Sequence, residues 1–286
     1  MGLEGHIKKA LARGATGRRA TPAFWKKALA GLLLCLPTGS ALAGAWTLPA
    51  GETKAIVTTS LAYADSQFGP DGRRQPRRDF RKIETTLYVE FGIADQLTFL
   101  GEVAHANEKI TDHGFSSSNS GPARVETGAR LRLGEIDDTL VSLQAIVALH
   151  TEQQSNDPFA SKSGDLDYEI ALATGAPFTL LGVEGFSTSL TAYRYRPGGR
   201  ADEVSVDATI GLKPADGWMI LFQSLNFISV GREALPGIRT RSHKAKLSII
   251  RQVHKNLSIE LGAFKTLTGE NMIEETAGLL GFWYHF

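Results

Sequence analysis

Cysteine is nearly missing from this chain: the only one, Cys35, lies in the N-terminal stretch expected to be removed. Beyond that stretch no disulfide and no thiol-based metal site can form. The histidines are scattered singly, without the paired spacing of a metal site. No glycine-rich phosphate loop is present, and the glycines stand alone, as they do in strands and turns. After residue 43 no apolar run approaches the roughly 18 residues a membrane helix needs. An excess of positive charge is also missing. The net charge of +1 conceals a basic leader, because residues 1–43 hold seven Lys and Arg against Glu4 alone. The remainder carries 24 basic and 29 acidic residues, which argues against a nucleic-acid partner.

What is present begins with an export signal. Lys26 and Lys27 precede the short apolar core Ala28 to Leu36, and Ala41-Leu42-Ala43 follows Pro37, Gly39 and Ser40. A basic region, a short apolar region and small residues at a cleavage site read as a secretory signal peptide over 1–43, leaving 44–286 as the mature domain. Arg18-Arg19 lacks the apolar residues that should follow closely in twin-arginine export.

The mature chain alternates apolar and polar residues with period two, the pattern of half-buried strands. Ile83, Thr85, Leu87, Val89 and Phe91 share one face, and Lys82, Glu84, Thr86, Tyr88 and Glu90 the other. Residues 124–133 and 203–212 repeat the pattern. Less regular strands are expected near 53–64, 96–106, 139–150, 166–175, 185–196, 218–229, 241–251, 257–266 and 275–286, about twelve in all. The three clean apolar faces carry no charge, so a one-residue slip would turn Glu126, Arg130 and Arg132 toward the apolar surroundings. Segments 65–79, 107–123 and 151–164 read as long polar loops. The links near 92–95, 134–138, 213–217 and 252–256 are short. Long loops at one rim and short turns at the other describe a bacterial transmembrane barrel. The short link at 196–202 and the long apolar one at 176–184 fit this poorly.

The terminal segment ends Leu280-Gly281-Phe282-Trp283-Tyr284-His285-Phe286, with Phe282, Tyr284 and Phe286 on one face. A chain terminus in water tends to be polar and frayed, whereas an aromatic girdle suits a closing barrel strand. On these residues the chain resembles Gram-negative outer-membrane β-barrels. The resemblance implies an all-β transmembrane antiparallel barrel in the outer membrane. It also implies that Phe282, Tyr284 and Phe286 serve as a signal to the barrel assembly machinery, with membrane lipid and lipopolysaccharide as partners. Gly44-Ala45-Trp46-Thr47-Leu48-Pro49 with Gly51-Glu52, and Tyr88 through Thr98, further resemble XagA-type barrels linked to exopolysaccharide and porin-like barrels of aromatic meta-pathway loci.

Candidate functional residues are of two kinds. Glu84, Glu90, Glu126, Asp207 and Glu260 would face the lumen beside Arg130, Arg132, Lys244 and Lys246. Opposed clusters of this sort give a selective pore for small solutes, or a charge network that fills and stiffens a narrow barrel. Arg73, Arg74, Arg77, Arg78, Arg81 and Lys82 would form a basic first loop suited to lipopolysaccharide phosphate or acidic polysaccharide. No cofactor and no catalytic residue is implied. A channel is the first reading, and a plugged structural or adhesion barrel the second. The third, a membrane-embedded lipid hydrolase, needs His113 and a serine of the 116–120 run to meet with an orienting Asn.

Overall fold

A computed structural model describes residues 44–112, 115–150, 166–197, 200–231 and 239–286. Every regular element described is a strand: β1 Thr53–Phe68, β2 Arg74–Ala94, β3 Leu97–Asp112, β4 Phe115–Ile136, β5 Thr139–His150, β6 Leu166–Leu180, β7 Val183–Tyr195, β8 Asp202–Ala215, β9 Trp218–Val230, β10 Arg241–His254, β11 Leu257–Glu270, β12 Met272–Ile273 and β13 Thr276–His285. Each long strand pairs antiparallel with its sequence neighbour, and β1 pairs with both β2 and β13. The sheet therefore closes into a twelve-stranded barrel without a free edge, and the two-residue β12 adds a short bridge to the end of β1.

The alternation expected from the sequence is realised on the barrel surface. Ile83, Leu87 and Phe91 are exposed outward, while Glu90 between them is buried. Leu61, Val103, Ile170, Leu172, Phe222, Leu247 and Leu261 continue an apolar belt around the wall. A sheet in water would bury such a face, and here hydrocarbon covers it. Near the end that bears the termini, Tyr284 packs edge-on to Phe286 at 4.6 Å and the Arg251 guanidinium lies 5.0 Å from the Trp218 ring. Amphipathic rings and a long cation at the edge of the belt hold it at a membrane interface.

Tight turns close this end. Asp137 and Asp138 both take positive φ, as a two-residue type I′ hairpin requires, and Leu181-Gly182 does the same. The segment 176–184, expected as a long link, is strand apart from that turn. The loops expected over 65–79 and 107–123 are mostly strand as well. β1 runs to Phe68, β2 starts at Arg74, and β3 and β4 continue to Asp112 and from Phe115. Their polar composition reflects strands that outrun the hydrocarbon, since β2 has 21 residues and β4 has 22, against the roughly 9–11 needed to cross. The leader 1–43, the loop 151–164 and His113 lie outside the described residues.

Candidate functional site

A buried ionic cluster lies toward the end with the tight turns. There Lys54 of β1, Glu90 of β2 and Arg130 of β4, all lumen-facing, are each at most 1 % exposed. Lys54 pairs with Glu90. Arg130 reaches the other carboxylate oxygen at 3.0 Å and donates through Nη2 to Gln144 Oε1 at 3.0 Å. The Tyr88 hydroxyl donates to Glu90 Oε1 at 2.8 Å. Charges so far from water are tolerated only when ion pairs and hydrogen bonds engage them in this way, here with two cations sharing one carboxylate.

The chain before β1 enters this interior. Ala45 is fully buried, and its carbonyl accepts from the Ser142 hydroxyl. The Trp46 carbonyl accepts from Arg130 Nη1 at 3.0 Å, and the Leu48 amide donates to Thr98 Oγ1 at 2.8 Å. Two glycines make room. A Cβ on Gly92 would fall 1.9 Å from the Pro49 carbonyl oxygen, and one on Gly175 would fall 2.8 Å from the Trp46 ring. On its other side Trp46 meets Phe186 edge-on at 5.7 Å. Phe186 belongs to an apolar patch with Met219, Leu221, Ile250 and Trp283. Trp46 thus stands between an ionic wall on β1, β2 and β4 and an apolar wall on β7, β9, β10 and β13. Beside the patch, Trp283 Nε1 donates to Glu260 at 3.0 Å, and Lys246 pairs with Glu260 at 3.0 Å.

Toward the other rim most of the lumen-facing charges are only partly covered, although Asp167 and Glu275 are buried. Lys82 lies 3.5 Å from Glu84 and 3.6 Å from Glu275, and Lys244 2.8 Å from Glu275. Arg124 pairs with Glu102 and, at 3.0 Å, with Glu126. Arg194 meets Glu169 at 2.7 Å. Asp167 holds Arg200 at 2.5 Å and His150 Nε2 at 2.9 Å. Glu275 lies in the two-residue link before β13. Burial alone would raise its carboxyl, but Lys244 and Lys82 outweigh that and hold it down at about 2.

Most of the expected lumen residues are therefore in the lumen, but not as opposed acidic and basic walls. Glu84, Glu90, Glu126, Arg130, Lys244, Lys246 and Glu260 are interleaved in local ion pairs, so any transverse field is short-ranged. Asp207 makes no such pair; its Oδ1 accepts from the Asn226 amide at 2.9 Å. Arg132 differs too: it is exposed at the turn end of β4, 3.4 Å from Glu135. The basic loop is corrected more strongly. Only Arg73 remains in a loop, beside Asp71 at 3.5 Å. Arg74, Arg77, Arg78, Arg81 and Lys82 lie on β2. Arg74 holds Glu274 at 2.5 Å, Arg77 stacks on Phe80 at 5.3 Å, and Lys82 turns into the lumen. Sequence reasoning missed Lys54, Trp46, Trp283, Glu275 and the Asp167 cluster. Alternation along β1 carries Lys54 inward, whereas Trp46 precedes every strand and has no periodicity to mark it. Among the described residues no three His, Cys, Asp or Glu side chains form a metal site.

No protein-family model matches the chain, and no curated protein matches it. Solved structures do. The COG4313 outer membrane channel from Pseudomonas putida F1 superposes with a TM-score of 0.63 at 12 % identity, over 87 % of this chain and all of that one. The NanC porin gives 0.48 at 7 % identity, over 79 % of this chain and 98 % of its own. The first of these likenesses shows a shared fold, that of outer-membrane β-barrels. With the apolar belt, it places this chain in the outer membrane.

Proposed function

We propose that this protein is an outer-membrane channel for small solutes, closed at its periplasmic end by residues 44–50. The observation that carries this reading is the seating of Trp46 between the Arg130–Glu90–Lys54 network and the Phe186–Trp283 patch. A lumen with partly covered charges at one rim and a separate segment closing the other has the form of a vestibule with a stopper. A barrel stiffened throughout would need no such segment. Cleavage of the leader after Ala43 makes this stopper the mature N-terminus, joined to the wall covalently through β1, by backbone hydrogen bonds from Gly51 to Gly92 and from Gly92 to Glu52, and by the single hydrogen bonds to Ala45, Trp46 and Leu48 described above. That the Pseudomonas putida protein of the same fold is an outer membrane channel supports the same reading. Likeness of the 44–52 and 88–98 motifs to XagA-type and meta-pathway barrels supports solutes from exopolysaccharide or aromatic-compound metabolism.

Single-channel recording in planar bilayers tests the proposal. The mature chain should show small or intermittent currents. Trp46→Ala, and a chain beginning at Ala50, should conduct severalfold more. Silence in all three would reject an openable lumen and favour the structural barrel.

A further inference from the structure

Of the six basic residues grouped by sequence, Arg81 stands apart. It is exposed on the outward face of β2, two residues beyond the last belt residue of that strand, Ile83. Its register partner across β2 and β3 is Lys109, also exposed. Directly paired residues share a face and lie about 5 Å apart at Cβ. Like charges in that position repel, and among the described residues neither Arg81 nor Lys109 has an acidic partner within ion-pair distance. Asp79, the next outward residue on β2, instead accepts from the Tyr63 hydroxyl at 3.3 Å.

The neighbours of this pair belong to the same outward row. Arg81 is paired with Tyr63 of β1, Tyr63 with Thr276 of β13, and Thr276 with Lys265 of β11. On the other side Lys109 is paired with Ser118 of β4. Lys265 is engaged by Glu274 at 3.5 Å, which leaves Arg81 and Lys109 as the positive centre of the row, with the Asp79 carboxylate one step further out and turned to the Tyr63 hydroxyl. Below it the wall is apolar and partly hollow: Leu61 is 62 % exposed, Ile83 48 %, and a Cβ placed on Gly278 would meet nothing. The row lies at the rim opposite the termini and tight turns, which is the outer leaflet in a bacterial barrel.

We propose that Arg81 and Lys109 form a binding site for the phosphate of an outer-leaflet glycolipid, the headgroup phosphate of lipopolysaccharide, with its acyl chains along Leu61, Gly278 and Ile83. A phosphate set between two cations removes the repulsion that the bare barrel carries, and the guanidinium supplies a bidentate hydrogen-bonding edge. Hydroxyls of Tyr63, Thr276 and Ser118 line the same level and suit the sugar atoms around the phosphate.

The test uses the full barrel in nanodiscs and follows the temperature at which its folded gel band is lost. Bisphosphorylated lipid A should raise the midpoint of the wild type by about 5 °C. Dephosphorylated lipid A and inorganic phosphate should not. The double variant Arg81→Ser, Lys109→Ser should lose the rise, whereas Arg73→Ser and the charge-preserving Arg81→Lys, Lys109→Arg should keep it. An undiminished rise in the Ser variant, or an equal rise with dephosphorylated lipid A, would overturn the proposal. A rise with inorganic phosphate would replace a lipid site by a free-anion site. Should the Ser variant fail to fold, Arg81→Gln with lipid A bound during purification, counted by mass spectrometry, gives the same decision. Currents through the channel do not enter the readout, so this test and the channel test fail separately.

Discussion

At the residue scale the interior is governed by the cost of burying charge. Glu90 is the single carboxylate that both Lys54 and Arg130 contact. Replacing it leaves two buried cations facing each other, while the two hydrogen-bond acceptors supplied by Trp46 and Gln144 satisfy only Arg130. Glu90→Gln is expected to destabilise the folded barrel by about 3–5 kcal/mol, read from urea unfolding in lipid vesicles. A loss under 1 kcal/mol would show that water reaches this tier. The sequence placed Glu90 and Arg130 on the lumen face by parity alone. It did not reveal that they touch, because β2 and β4 are separated by β3 and meet only across the curvature of a closed sheet.

At the element scale the wall is uneven. β8 and β9 pair at Ser205–Phe227 and again at Ala208–Ser224, and between them the bridging pairs are missing. Side chains substitute: the Asn226 amide nitrogen Nδ2 donates to the Val206 carbonyl at 2.7 Å, and the Asn226 backbone donates to Asp207 Oδ1 at 2.9 Å. Asn226→Ala should therefore speed amide hydrogen exchange across 203–209 and 223–229 while leaving the β3–β4 hairpin unchanged. Equal protection in the two regions of the variant would refute this account. The link between β12 and β13 offers a second prediction. The Glu275 carboxyl is held down at about 2 against an ordinary value of 4.5. A depressed carboxyl contributes stability that is complete above its unfolded value and is lost as pH falls through its folded one. Glu275→Gln should thus melt below the wild type at pH 6, by up to about 3 kcal/mol. The two melting points should converge as pH drops from about 4.5 toward 2. A gap unchanged at pH 2 would mean that the ion pairs with Lys82 and Lys244 contribute nothing. In the sequence the same link looked like the start of a strand, because alternation is blind to a two-residue interruption.

For the whole molecule, the orientation proposed above puts the tight turns and residues 44–50 on the periplasmic side and the long strands and loops outside. The natural cysteine, Cys35, lies in the stretch 1–43 expected to be removed, so single cysteines introduced into the barrel can report on topology. In intact cells a membrane-impermeant maleimide should label Arg73→Cys and spare Asp138→Cys, and the reverse pattern would invert the model of the vestibule. The twelve strands, their inward and outward faces and the closing aromatic strand were legible in the sequence, since period-two alternation is a local property that hydrocarbon outside and charge inside impose on each strand separately. What the tertiary structure alone decided is which charges meet, that the supposed basic loop is mostly strand, and that Trp46 turns back into the bore. Those are contacts between residues far apart in the chain. They depend on closure of the sheet and on the space left at Gly92 and Gly175, neither of which any local pattern encodes.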